Sequence, residues 1–126
     1  MAQSNVELAR RGYEAARRGD LEAVREFLDP EVKWHAGDPT AEYACQNRAQ
    51  AIEFMRRARE RAPIGELIDI VDAGEKVVVI MRRAGEAGEG ELIANVTTFR
   101  DGKAIEMVHY PDPEDALATV GIPHTR

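Results

Sequence analysis

Cysteine and lysine are scarce in this chain of 126 residues. The one cysteine, Cys45, can form no internal disulfide, which points to a reducing cytoplasm. Lysine occurs only at Lys33, Lys76 and Lys103, so arginine supplies most of the positive charge. With many alanines, that bias suggests a GC-rich bacterial genome. Acids still outnumber bases, 23 against 17, for a formal net charge of −6. A surface of that sign argues against a nucleic-acid partner held through phosphates. No apolar run approaches the roughly 18 residues of a membrane span. The N-terminal Met-Ala-Gln-Ser-Asn-Val-Glu lacks the basic start and apolar block of a signal peptide. No spacing of histidine, cysteine and carboxylate suggests a metal, and no phosphate-binding glycine loop occurs. Neither a metal nor a cofactor is therefore expected.

What is present reads as one globular domain over residues 1–126, long enough to bury a core. Ser4-Asn5-Val6-Glu7 is a capping box, and Val6, Ala9, Tyr13 and Ala16 follow at helical spacing. Gly19 ends that helix. Asp20 opens the next, with Leu21, Val24, Phe27 and Leu28, and Asp29-Pro30 stops it. Residues 31–36 alternate, with Val32, Trp34 and Ala36 on one face and Lys33 and His35 on the other. Ala41 to Cys45 fits a short edge strand. Asn47 to Gln50 opens a third helix whose inner stripe is Ala51, Ile52, Met55, Ala58 and Ala62. Strands are expected near 65–73, 76–84, 90–100 and 103–110. A short last helix follows, capped by Asp112 with Pro113 at its first position. The fold class is therefore α+β, with helices on one face of a strongly bent antiparallel sheet.

Asp101-Gly102 between apolar strands is a strong hairpin signal, because a type I′ turn needs positive φ at both centres. A two-residue turn pairs Arg100 with Lys103. Regular alternation then sets Thr98 against Ile105, Val96 against Met107 and Ala94 against His109. Leu92, Ala94, Val96, Thr98, Ile105, Met107 and His109 would share the more apolar face, which is assigned to a cavity. His109 is the ionisable group on that face, and an imidazole with an ordinary pKa of about 6.5 suits acid–base work. A histidine bonded to a core acceptor is the alternative. Trp34, Tyr43, Met55, Ala94, Val96 and Met107 are candidate cavity lining, though plain core packing explains them equally well.

Larger pieces carry a family resemblance. They are Tyr13-Glu14-Ala15-Ala16 with Gly19-Asp20-Leu21, Leu28-Asp29-Pro30-Glu31-Val32-Lys33-Trp34-His35, and Asn47-Arg48. Thr98-Phe99-Arg100-Asp101-Gly102-Lys103 and Tyr110 through Gly121 complete the set. Together they resemble the SnoaL-like polyketide cyclase group of the nuclear transport factor two-like superfamily, which includes ketosteroid isomerases and limonene epoxide hydrolases. The resemblance implies a conical barrel of four to six strands against three helices, with a short C-terminal helix. It also implies an apolar small-molecule cavity and a homodimer built through the outer sheet face. Tyr13 resembles the isomerase tyrosine that donates to a developing oxyanion. Asp38, before Pro39, stands in a context like that of the isomerase proton-shuttling aspartate. Its longer spacing from the preceding helix favours a solvated turn residue instead. The isomerase's second acid falls near Val96 or Thr97, neither of which is acidic. Two readings stay open: a cofactor-free cyclase or isomerase acting on a carbonyl-bearing apolar molecule through His109, Tyr13 and Asp38, or a non-catalytic ligand-binding or dimerisation module.

Overall fold

The computed structural model describes residues 4–61, 65–82 and 91–122. The glycine-rich turn expected from Gly85 to Gly90, and Ala62 of the third helix's stripe, lie outside them.

Helix α1 spans Asn5–Arg18. The Ser4 hydroxyl accepts the Glu7 N–H at 3.1 Å at its start, and Gly19 closes it in the left-handed region at φ 78°. Helix α2, Leu21–Phe27, opens on Asp20, whose carboxylate accepts the Ala23 N–H at 3.2 Å. The two helices meet at Gly12, where an added Cβ would stand 2.8 Å from ring carbons of Phe27. Phe27 in turn meets Phe99 edge to face, with ring centroids 5.6 Å apart, and so ties the helix pair to the sheet.

The chain then runs through β1 (Leu28–His35), α3 (Arg48–Arg61), β2 (Glu66–Ala73), β3 (Lys76–Arg82), β4 (Leu92–Arg100), β5 (Lys103–Tyr110) and α4 (Pro113–Thr119). Asp112 caps α4 by accepting the Glu114 N–H at 2.9 Å. Instead of an edge strand, the Ala41–Cys45 segment makes a single bridge, in which Trp34 and Cys45 exchange backbone bonds of 3.0 and 2.8 Å. The five strands lie in the order β1-β5-β4-β3-β2. The α+β class expected from the sequence is the one observed. The sheet is mixed, since β1 joins β5 in parallel while the other pairs are antiparallel. It is also open, with β1 and β2 as edges, and the helices rather than strand pairing close the cone.

The hairpin forms on a type I′ turn, with φ 53° at Asp101 and 79° at Gly102. Arg100 pairs with Lys103 and Phe99 with Ala104 as expected. The ladder then skips Ile105. Beyond it Thr98 meets Glu106, Thr97 meets Met107, Val96 meets Val108, Asn95 meets His109 and Ala94 meets Tyr110. This bulge corrects the pairing derived from strict alternation. It follows from tertiary packing: Ala104 and Met107 both pack in the core under the helices, yet they stand three positions apart. An odd spacing on one face requires an extra residue in the strand.

The sheet consequently has two apolar faces. One carries Val77, Val79, Phe99, Ala104 and Met107 against α1, α2 and α3. The other carries Val78, Ala94 and Val96 against Ala116 and Leu117 of α4. Gly12→Ala is expected to lower stability by about 1–3 kcal/mol, because Phe27 must leave its site between α1 and the sheet. Urea denaturation checks this, and an unchanged midpoint would refute the close approach.

Candidate functional site

Between the sheet and helices α1, α2 and α3 lies an inner cavity of about 270 Å³. Its walls are largely apolar, with Val24 and Phe27 from α2, Met55 from α3, and Met81 and Met107 from the sheet. The side chains carrying polar atoms are Tyr13, Trp34, Asn95 and Thr97. An outer chamber of about 650 Å³ adjoins it, lined by His35, Tyr43, Cys45, Arg61 and His109. Trp34 and Phe54 line both chambers and meet edge to face, centroids 4.9 Å apart at 77°. Phe54 is 48% exposed, so this aromatic pair stands at the junction of cavity and surface. The helical stripe read from the sequence passed over Phe54, because it lies on the flank of α3 rather than on the side that docks.

The predicted site residues separate in the structure. Trp34, Met55 and Met107 line the inner cavity, as does Tyr13. His109 and Tyr43 line the outer chamber, Tyr43 at 66% exposure. Ala94 and Val96 must be moved. The Ile105 bulge turns them to the opposite sheet face, where they pack with Ala116 and Leu117. The positions turned toward the cavity in their place are Asn95 and Thr97, which alternate with Ala94 and Val96 along the strand. Asp38 is placed as the solvated turn residue that its spacing favours, not as a cavity acid. It is exposed and lines neither chamber. Its carboxylate accepts from the Thr40 N–H at 2.9 Å and the Thr40 hydroxyl at 2.7 Å. Those bonds hold its carboxyl below the usual carboxylate range, with a smaller contribution from His35. Asp38 is thus a turn-forming residue, because its side chain satisfies the local backbone.

The Tyr13 hydroxyl donates to the Gly65 carbonyl. Burial, opposed by Arg17 and reinforced by Glu66, pushes its pKa above the ordinary phenol value. The phenol therefore stays neutral, and its proton is committed to the backbone. Burial likewise pushes the Cys45 thiol up, which disfavours the reactive thiolate. His35, expected to face away from Trp34, does so, but it is buried at 7% exposure. Its Nδ1 accepts the Gly37 N–H at 3.0 Å, so Nε2 carries the proton and donates to Glu106 at 2.8 Å. It is this bond to Glu106 that keeps the buried His35 ring satisfied. Asp69 sits opposite Ile80 after a shift in the β2 ladder, and its carboxylate accepts the Ile70 N–H at 2.8 Å. Among the described residues no cluster of three metal-ligating side chains occurs, and no helix is long and apolar enough to cross a membrane.

A SnoaL-like domain model matches residues 9–107, which takes in α1 through the middle of β5 and hence the whole inner cavity. The chain belongs to the SnoaL-like family. No curated protein matches it. Solved structures similar to this SnoaL-like chain include an NTF2-like protein of unknown function from Burkholderia pseudomallei. That protein has 22% identity and a TM-score of 0.69, over 95% of this chain and 99% of that one. A protein from Sinorhizobium meliloti proposed to be a polyketide cyclase aligns at 20% identity and TM-score 0.68, over 82% and 93% of the two chains. TerC, co-crystallised with polyporic acid, aligns at 21% and 0.68 over 92% and 97%. At these identities the likeness establishes the NTF2-like fold.

Tyr13→Phe in this SnoaL-like protein is expected to cost about 1 kcal/mol, the worth of one neutral hydrogen bond, while leaving the cavity walls in place. A thermal melt with and without a bound ligand separates the two effects. A loss of ligand binding at unchanged stability would show that the phenol proton serves the ligand instead.

Proposed function

We propose that this SnoaL-like protein binds an apolar, carbonyl-bearing small molecule of polyketide- or steroid-like size and acts on it by cofactor-free acid–base chemistry. The observation that carries the reading is the pairing of Asn95 with His109 across β4 and β5. It sets an imidazole at the outer chamber beside a residue that lines the apolar inner cavity. Directly opposed residues on one sheet face hold their Cβ atoms about 4.5–5.5 Å apart. A ligand reaching from one chamber into the other would pass both. His109 would take a proton from the carbon next to the carbonyl, leaving an enolate. The His109 imidazolium would return that proton either to the γ carbon, where the enolate is a conjugated dienolate, or to the alkoxide formed when the enolate attacks a second carbonyl of the same molecule. Tyr13 lines the same cavity, and with its proton held by Gly65 it would orient the ligand as a hydrogen-bond acceptor. The neighbours proposed to be a polyketide cyclase and co-crystallised with polyporic acid fit a ligand of this kind. The homodimer that the family resemblance implies, and the reducing cytoplasm that the single cysteine suggests, belong to the same proposal.

A second reading, ligand capture without turnover, is favoured by one observation. The described residues lining the inner cavity include no carboxylate to share the proton work. The experiment that separates the two compares His109→Ala with Asp38→Asn on a substrate found by screening cyclisable polyketide mimics. Turnover is expected to fall at least about a hundredfold in the first, the usual worth of a general acid or base, and to persist in the second. Undiminished turnover in His109→Ala removes the mechanism, and stoichiometric capture without product supports the binding module.

A further inference from the structure

The inner cavity's polar groups do not point at random, and the direction of their hydrogen bonds limits what the cavity can hold. The Thr97 hydroxyl, 4% exposed, donates to Oδ1 of Asn95 at 3.2 Å. That bond occupies the amide's acceptor end. It leaves the Nδ2 hydrogens of Asn95 without a partner among the described residues. Among the described residues no sealed polar side-chain atom lacks a partner. Nδ2 is therefore open to the cavity that Asn95 lines rather than trapped in the core. The Tyr13 proton is spent on Gly65. Among the described residues the remaining side-chain N–H on the wall is the Trp34 indole at the junction with the outer chamber, a donor that has no acceptor capacity.

We infer that Asn95 is the specificity-determining residue of the cavity. Its amide N–H, held in place by Thr97, selects ligands that present a hydrogen-bond acceptor, a carbonyl oxygen above all, over hydrocarbons of the same shape. The chemistry is directional. Thr97 donates to Asn95 and Asn95 donates to the ligand, so a carbonyl completes the chain where a methylene leaves a desolvated N–H unpaired. Met81, Val79 and Met107 supply apolar surface for the rest of the molecule. Because His109 is the register partner of Asn95, a carbonyl held by the amide brings its neighbouring carbon toward the imidazole. This inference rests on the proposed ligand site, but only on its binding, not on turnover.

The probes are 1-tetralone and tetralin, which differ by one carbonyl oxygen in place of two hydrogens, titrated by calorimetry or ligand-observed NMR. The unaltered protein is expected to bind the ketone roughly tenfold more tightly, as one neutral hydrogen bond allows. Asn95→Leu is expected to erase the preference while keeping tetralin binding. Asn95→Asp keeps the shape and still accepts from Thr97 but offers no N–H when ionised, so it erases the preference too and guards against misfolding of the leucine variant. Thr97→Val should weaken the preference by freeing the amide to turn. Equal binding of the two probes to the unaltered protein overturns the inference while sparing the ligand site. A ketone preference that survives in a folded Asn95→Asp also overturns it. Binding of neither probe overturns the inference together with the site on which it rests.

Discussion

One extra residue in β5 governs the arrangement of everything that touches the cavity. Side chains on a strand alternate between faces, so the step at Ile105 shifts the partner of every β4 residue from Thr98 back to Ala94. Ala104 fills the core beside Phe99, and Met107 forms the cavity wall three positions later, because the bulge absorbs the odd count. The same step aligns His109 with Asn95 instead of Ala94. It thereby decides whether the imidazole's neighbour is a methyl group or an amide, and that difference is chemical as well as geometric.

Both faces of the sheet are apolar at the centre, for different reasons. On one side α4 presses Ala116 and Leu117 onto Val78, Ala94 and Val96, all of them apolar. On the other, the helices stand off far enough to leave a cavity, and its wall admits Asn95 and Thr97. Apolarity alone therefore identifies the packed back of the sheet better than its ligand side. A binding cavity needs a few polar groups to orient what it holds, whereas a close-packed face has no room for them.

Hydrogen bonds around the site are largely spoken for, which gives the remaining ones meaning. Tyr13 is bound to Gly65, His35 bridges Gly37 and Glu106, and Asp38 is closed on Thr40. These bonds fix backbone turns and strand ends rather than a ligand. The edge-to-face pair of Trp34 and Phe54 then divides the space into an inner and an outer part, so that the apolar body of a ligand and the imidazole of His109 belong to different chambers.

The sequence by itself determined the helices, their caps at Ser4, Asp20 and Asp112, the turn at Asp101-Gly102 and the α+β class, because each is a local matter of dihedral preference and periodicity. It also carried the family resemblance, and it brought Tyr13, Trp34, Met55 and Met107 to notice. The tertiary structure alone decided the rest. The bulge answers to the joint packing of Phe99, Ala104 and Met107 against helices distant in the chain, and no residue near Ile105 announces it. The parallel pairing of β1 with β5, the docking of α4 behind Ala94 and Val96, and the turning of Asn95 and Thr97 into the cavity are long-range outcomes of the same kind. Local preference specifies which elements form, and only the packing of one element on another specifies which way each side chain faces.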